Sequence, residues 1–91
     1  MNNLEMIRFG KTLTDREYGK KISQIILEKE SFPMTLDFKG VISLGSSCGD
    51  EILNTIGPKQ ENNISVLNAN APIKACLSRV AEDLKIKITI L

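Results

Sequence analysis

The chain has 91 residues, enough for one domain and too few for two. Apolar residues make up 42% and charged residues 25%, a globular balance that excludes global disorder. Twelve Lys and Arg stand against eleven Asp and Glu, a formal net charge of +1, and residues 1–30 alone mix six basic with five acidic side chains, so the concentrated positive face of a nucleic-acid binder or a membrane-surface module is missing. No apolar run approaches the ~20 residues that a membrane-spanning helix needs. The start, Met-Asn-Asn-Leu-Glu-Met, has neither a basic beginning nor a long apolar stretch, so no export signal is expected and a cytoplasmic setting is.

The predicted elements alternate. Leu4 to Phe9 reads as a strand ending at Gly10. Thr14 followed by Glu17 has the spacing of a capping box, so a helix is expected there, with Tyr18, Ile22, Ile25 and Ile26 as its apolar stripe and an end near Glu28 or Lys29. Pro33 pushes Phe32 out of helical conformation and stops it. Met34 to Phe38 reads as the next strand, closed by Lys39-Gly40. A second helix follows Leu44, with Cys48, Ile52, Thr55 and Ile56 on one face, and Gly57-Pro58 is its predicted stop. Beyond a polar loop over residues 59–63, Ile64 to Leu67 is a short strand. Asn68 to Pro72 opens a third helix with Ile73, Cys76, Leu77, Val80 and Leu84 on its buried stripe. Lys85 to Leu91 alternates polar and apolar and reads as an edge strand. This order predicts an α/β fold: a four-stranded sheet, mostly parallel or mixed with antiparallel pairing at the first strand, and three helices. The expected core includes Ile7, Phe9, Ile22, Ile25, Leu36, Phe38, Ile52, Ile56, Val66, Leu77, Val80 and Ile88.

The absences narrow the chemistry. There is no His, so the commonest general base and metal ligand is missing and a Ser-His-Asp triad is impossible. Cys48 and Cys76 are the two cysteines; they form no Cys-x-x-Cys pair and are expected to be buried, reduced and unpaired. No glycine-rich phosphate loop occurs. No catalytic residue, metal ligand or cofactor is assigned.

Two blocks carry a resemblance. The first runs from Gly10 to Ile22, Gly-Lys-Thr-Leu-Thr-Asp-Arg-Glu-Tyr-Gly-Lys-Lys-Ile. The second is Leu36-Asp37-Phe38-Lys39-Gly40-Val41 with Leu44-Gly45-Ser46-Ser47-Cys48-Gly49-Asp50-Glu51. Together they resemble a bacterial STAS-like family of unknown function, whose members show a Gly-x-x-Leu-x-Ser-Arg helix start, an Asp-Phe-x-Gly-Val strand end and a Ser-Phe-Ala-Asp-Glu helix start. Here Asp15 stands in place of that Ser, Gly19 in place of an Ala, and Cys48-Gly49 in place of Phe-Ala. The resemblance covers about residues 10–56 and implies a single small STAS-like domain over 1–91. The wider STAS fold includes anti-sigma-factor antagonists, which carry Asp-Ser-Ser-Gly at the same strand-to-helix turn and are phosphorylated on the first Ser. The corresponding turn here is Gly45-Ser46-Ser47-Cys48, so the resemblance makes Ser46 the candidate phospho-acceptor.

Ser47, with Asp50 three residues on, reads as the N-cap of the second helix, which would leave Ser46 one residue outside it, exposed on the loop. Asp50 and Glu51 are then expected in the first turn, complementing the helix dipole. Arg16, in the first turn of the first helix, is expected to pair with Asp37 as a structural ion pair, with Asp50 as the other partner the resemblance suggests; Lys39 is a further candidate partner for Asp37. The expected function is a non-catalytic interaction module of a bacterial regulatory or signalling system. It presents Gly45, Ser46, Ser47, Cys48, Asp50 and Glu51 to a protein partner, which the resemblance makes an ATPase-type serine kinase. Two alternatives stand beside it: a small-ligand-binding or enzymatic subunit using Arg16, Asp37, Asp50 and Glu51, and a structural subunit that forms homo-oligomers through its edge strands.

Overall fold

A computed structural model describes residues 2–91. In chain order the elements are β1 (Asn2–Glu5), a 3₁₀ turn (Met6–Phe9), β2 (Thr12–Leu13), α1 (Arg16–Lys29), β3 (Met34–Asp37), β4 (Ser43–Leu44), α2 (Ser46–Ile56), a 3₁₀ turn (Gly57–Gln60), β5 (Asn63–Leu67), α3 (Ala71–Leu84) and β6 (Lys87–Ile90). The main sheet has the order β1-β3-β5-β6 and every pairing in it is parallel. The protein is thus a small α/β fold of four main strands and three helices, and the antiparallel pairing considered for the first strand does not occur. β2 and β4 form a separate parallel ladder, Thr12 against Ser43 and Leu13 against Leu44. Two residues per strand leave no periodicity to read, and the sequence gives no sign of this ladder.

Each crossover steps one strand in the same direction across the sheet. With the right-handed connection that parallel crossovers take, this sets the three helices on one face. Side-chain alternation agrees: the row Leu4, Leu36 and Val66 is buried under the helices, while the opposite face carries the polar row Asn3, Thr35, Ser65 and Thr89. One core cluster joins these inner strand residues to Ile22 and Ile26 of α1, Ile52, Leu53 and Ile56 of α2, and Ile73, Leu77 and Val80 of α3.

Several expectations are corrected. The first strand ends at Glu5 rather than Phe9, because β3 ends at Asp37 and offers no partner further on; Met6–Phe9 curls into a 3₁₀ turn. Ile7, Phe9 and Ile88 are only half-buried, and Ile25 is exposed at 42%, as is Tyr18 at 36%. α1 instead buries Gly19 and Ser23, because this face meets α2 closely: a Cβ on Gly19 would lie 3.0 Å from both Cα and O of Cys48. The small residue sets the spacing of the two helices, so the apolar stripe rotates away from Tyr18 and Ile25. α2 does stop at Ile56, as Gly57-Pro58 predicts, but Gly57 is not left-handed; its φ is −48°, and the chain continues as a 3₁₀ turn. Lys85 caps α3 with φ 59°, so β6 starts two residues later than the alternation suggests.

The second 3₁₀ turn supplies a residue that sequence reasoning missed. The Gln60 side-chain amide accepts from the Met34 N–H at 2.7 Å and donates to the Met34 carbonyl at 3.2 Å and the Asn63 carbonyl at 2.8 Å. It stitches β3 to β5 where the ladder itself has not begun. Nothing in the local sequence distinguishes this Gln from a loop residue.

Candidate functional site

The β2–β4 ladder brings the starts of α1 and α2 together. Leu13 pairs with Leu44, and the Gly45 N–H donates to the Leu13 carbonyl at 2.8 Å. The backbones are so close that a Cβ on Gly45 would sit 2.7 Å from the Thr14 carbonyl oxygen and 2.9 Å from its Cα. Only glycine fits there without a shift.

That constraint decides how α2 begins. The N-cap is Gly45, with φ −83° and ψ 150°, and no side chain caps it. Ser47 is therefore not the N-cap, and Ser46 is not outside the helix: Ser46 is the first helical residue, exposed to solvent, and Ser47 is the second, half-buried. The helix's own hydrogen bonds start with the Gly49 N–H donating to the Gly45 carbonyl at 2.9 Å. The N–H groups of Ser46, Ser47 and Cys48 precede that bond and have no intrahelical acceptor. Asp50 and Glu51 move correspondingly from the expected first turn into the second. α1 begins differently. Asp15, not Thr14, is its N-cap and accepts from the Tyr18 N–H at 3.0 Å. Tyr18 in turn donates its hydroxyl to the Phe9 carbonyl, which fixes the loop before β2.

Arg16 and Asp37 do not pair. Arg16 Nη1 reaches Asp50 Oδ2 at 3.2 Å and Glu51 Oε2 at 2.5 Å, and so bridges α1 to α2. All three side chains keep contact with water, Arg16 at 47%, so the bridge adds little stability by itself. Ser23 reinforces the junction by donating from Oγ to the Glu51 carbonyl at 3.2 Å. Asp37 is engaged elsewhere: its Oδ1 accepts from Asn68 Nδ2 at 2.9 Å and from the Lys39 backbone N–H at 3.0 Å. These bonds, Asn68 foremost, hold its carboxyl below the usual range. Lys39 thus hydrogen-bonds Asp37 through its backbone, and its ammonium charge adds a smaller favourable effect without forming a salt bridge.

Of the residues singled out by sequence, Arg16, Ser46, Ser47 and Asp50 line one shallow depression of about 190 Å³, with Val80 and Asp83 of α3 on its far side. Glu51 adjoins through Arg16, and Asp37 lies with Asn68 instead. Cys48 is fully buried behind the helix start, and burial pushes its thiol up to about 11; Cys76 is buried too, its thiol raised for the same reason, and both are free. Neither is poised as a nucleophile at neutral pH. Among the described residues no group of three or more Cys, Asp and Glu side chains could hold a metal ion.

Fold and site together define a small parallel α/β protein with a solvent-facing serine at the first turn of a helix that no side chain caps. Comparison with family models, with curated proteins and with solved structures finds no match to this chain. Among the described residues no helix is long and apolar enough to cross a membrane.

Proposed function

We propose that this protein is a non-catalytic interaction module of a bacterial regulatory assembly in the cytoplasm, that it presents Ser46, Ser47, Asp50 and Glu51 on the first two turns of α2 to a protein partner, with Leu44 and Cys48 buried behind them, and that phosphorylation of Ser46 switches the contact. The observation that carries this reading is the exposed Ser46 at the start of a helix whose first three N–H groups have no acceptor within it. A phosphate there meets the positive end of the helix dipole. The resemblance of the 10–56 region to STAS-like proteins supplies the partner class, an ATPase-type serine kinase. In the transfer, the Ser46 Oγ–phosphorus bond forms, the bond from the γ-phosphorus of ATP to ADP breaks, and the hydroxyl proton passes to a base of the kinase.

The test is purification of the tagged protein from its own host, with mass spectrometry of partners and of phosphorylated peptides, followed by binding measurements on Ser46→Asp and Ser46→Ala. The reading expects phosphate on Ser46 and a named partner whose affinity falls in Ser46→Asp and is kept in Ser46→Ala. A partner that binds Ser46→Asp like the unmodified protein, or Ser46 peptides free of phosphate under all growth conditions, removes the switch.

A second reading has one observation in its favour. β6 is an edge strand with Ile90 exposed at 40% and Leu91 beside it at 64%, a surface suited to a subunit that associates edge to edge. Light scattering across a concentration series separates the two: a concentration-dependent dimer that Ile90→Lys abolishes favours assembly. The small-ligand reading lacks such support, since Asp37 is bonded to Asn68 and Lys39 and does not join Arg16, Asp50 and Glu51.

A further inference from the structure

Ser46 shares its depression with a single cation, Arg16, and with the carboxylates of Asp50 and Asp83. Arg16 spends one nitrogen, Nη1, on both of its α2 partners, Asp50 and Glu51. Its Nε and Nη2 make no hydrogen bond among the described residues. A guanidinium has five N–H donors in a planar fork whose geometry matches a phosphate. Asp50 follows Ser46 by four residues, so both project from the same face of α2. On the Ser46 reading above, we propose that Arg16 is the residue that reads the phosphate: a phosphoryl group on Ser46 Oγ takes the guanidinium over from Asp50 and Glu51.

The competition favours the phosphate on charge and on geometry. At neutral pH a phosphoserine carries about −1.5 to −2 and three acceptor oxygens, against a single charge on each carboxylate. The unpaired N–H groups of Ser46, Ser47 and Cys48 add donors that neither carboxylate reaches from the second turn. Opposing it are the acids at the site: Asp50 on α2 and Asp83 on α3 in its lining, and Glu51, which adjoins it through Arg16; Asp15 at the cap of α1 is engaged with the Tyr18 N–H. When Arg16 moves, Asp50 and Glu51 lose their counter-ion. The bridge between α1 and α2 opens, and the surface offered to the partner turns from a partly neutralised acidic cluster into a more acidic one.

The test uses the full chain with phosphoserine installed at position 46 during synthesis and follows the second ionisation of that phosphate by ³¹P NMR. The ordinary value is about 6. With Arg16 on the phosphate, the value falls below that in the native sequence, rises by about 0.5–1 in Arg16→Gln, and is partly restored in Arg16→Lys, which keeps the charge and loses the fork. In Glu51→Gln it falls further, because a competitor for Arg16 and a repelling charge both go. Circular dichroism of the unphosphorylated variants checks that the fold is kept, as expected for exposed side chains. Equal values in the native sequence and Arg16→Gln, or a value above 6 in both, overturn the assignment. Since the phosphate is installed chemically, a flat Arg16 response rejects the reader alone, whereas Ser46 found free of phosphate in protein from the host rejects the switch.

Discussion

α2 and α3 both start at the end of a short parallel strand, and they start in opposite ways. α3 is anchored by polar side chains: Asn70 accepts from the Ile73 N–H at 2.9 Å while its Nδ2 donates to the Ile42 carbonyl at 2.9 Å, and Asn68, two residues earlier, donates to Asp37. α2 has no such anchor. Its N-cap is a glycine, fixed by the Thr14 backbone that lies where a Cβ would be. The same local problem, how to begin a helix after a strand, is solved once with hydrogen bonds and once with close backbone contact. Only the second solution leaves the first turn's N–H groups without a side-chain acceptor, and there the exposed Ser46 stands.

The contrast breaks most readily at Gly45. Gly45→Ala places a methyl 2.7 Å from the Thr14 carbonyl oxygen and forces backbone apart, with an expected loss of about 1–3 kcal/mol in urea unfolding. Gly45→Ser sharpens the point: serine is a favoured N-cap, yet this variant too should be less stable than the native protein. If either matches the native midpoint, close contact is not what holds glycine in place.

At α3 the expected loss is smaller and of another kind. Asn70→Ala removes the cap and the bond to Ile42 and should cost about 1–2 kcal/mol, with helix content falling at elevated temperature. A loss near zero would mean that solvent replaces both bonds.

The polar anchoring of α3 also makes it sensitive to acid. The Asp37 carboxyl is held below its unfolded value of about 4, so its contribution is present above that pH and disappears as pH falls through the lower folded value. Asp37→Asn should therefore be the less stable protein at pH 7, with the gap to the native chain closing as pH falls below the unfolded value and through the lower folded one. A gap that stays constant from pH 7 to pH 2 would show that the bonds from Asn68 and Lys39 do not depend on the charge.

The smallest effect is expected at Ser47. As the second residue of α2 it caps nothing, and Ser47→Ala should change the unfolding free energy by less than about 0.5 kcal/mol. A loss near 1 kcal/mol would restore it as the cap and undo the contrast with Asn70.

The helix starts also show what was legible in the chain. Asn70 lies inside the polar run that marked α3, and Cys76, Leu77 and Val80 recur at helical spacing, so element and buried face were both readable. At α1 and α2 the cap lies one residue after Thr14 and two residues before Ser47. Thr14, Asp15, Ser46 and Ser47 are all good caps by type, and the choice among them depends on where the β2–β4 ladder ends, a contact between segments about 30 residues apart. Arg16 was expected to reach Asp37 or Asp50. It reaches Asp50 because the glycine contacts of α1 with α2 draw the two helix starts together, while Asn68 from the β5–α3 loop takes Asp37.

By itself the sequence determined the alternation of strands and helices, the α/β class, the apolar rows of β3 and β5 and the absence of histidine chemistry, because these follow from local periodicity and residue type. The tertiary structure alone decided the wholly parallel pairing, the β2–β4 ladder, the glycine cap of α2, the stitching by Gln60 and the meeting of Arg16 with Asp50 and Glu51 beside Ser46. Each of these depends on how closely two distant backbones approach, and no pattern within either segment carries that distance.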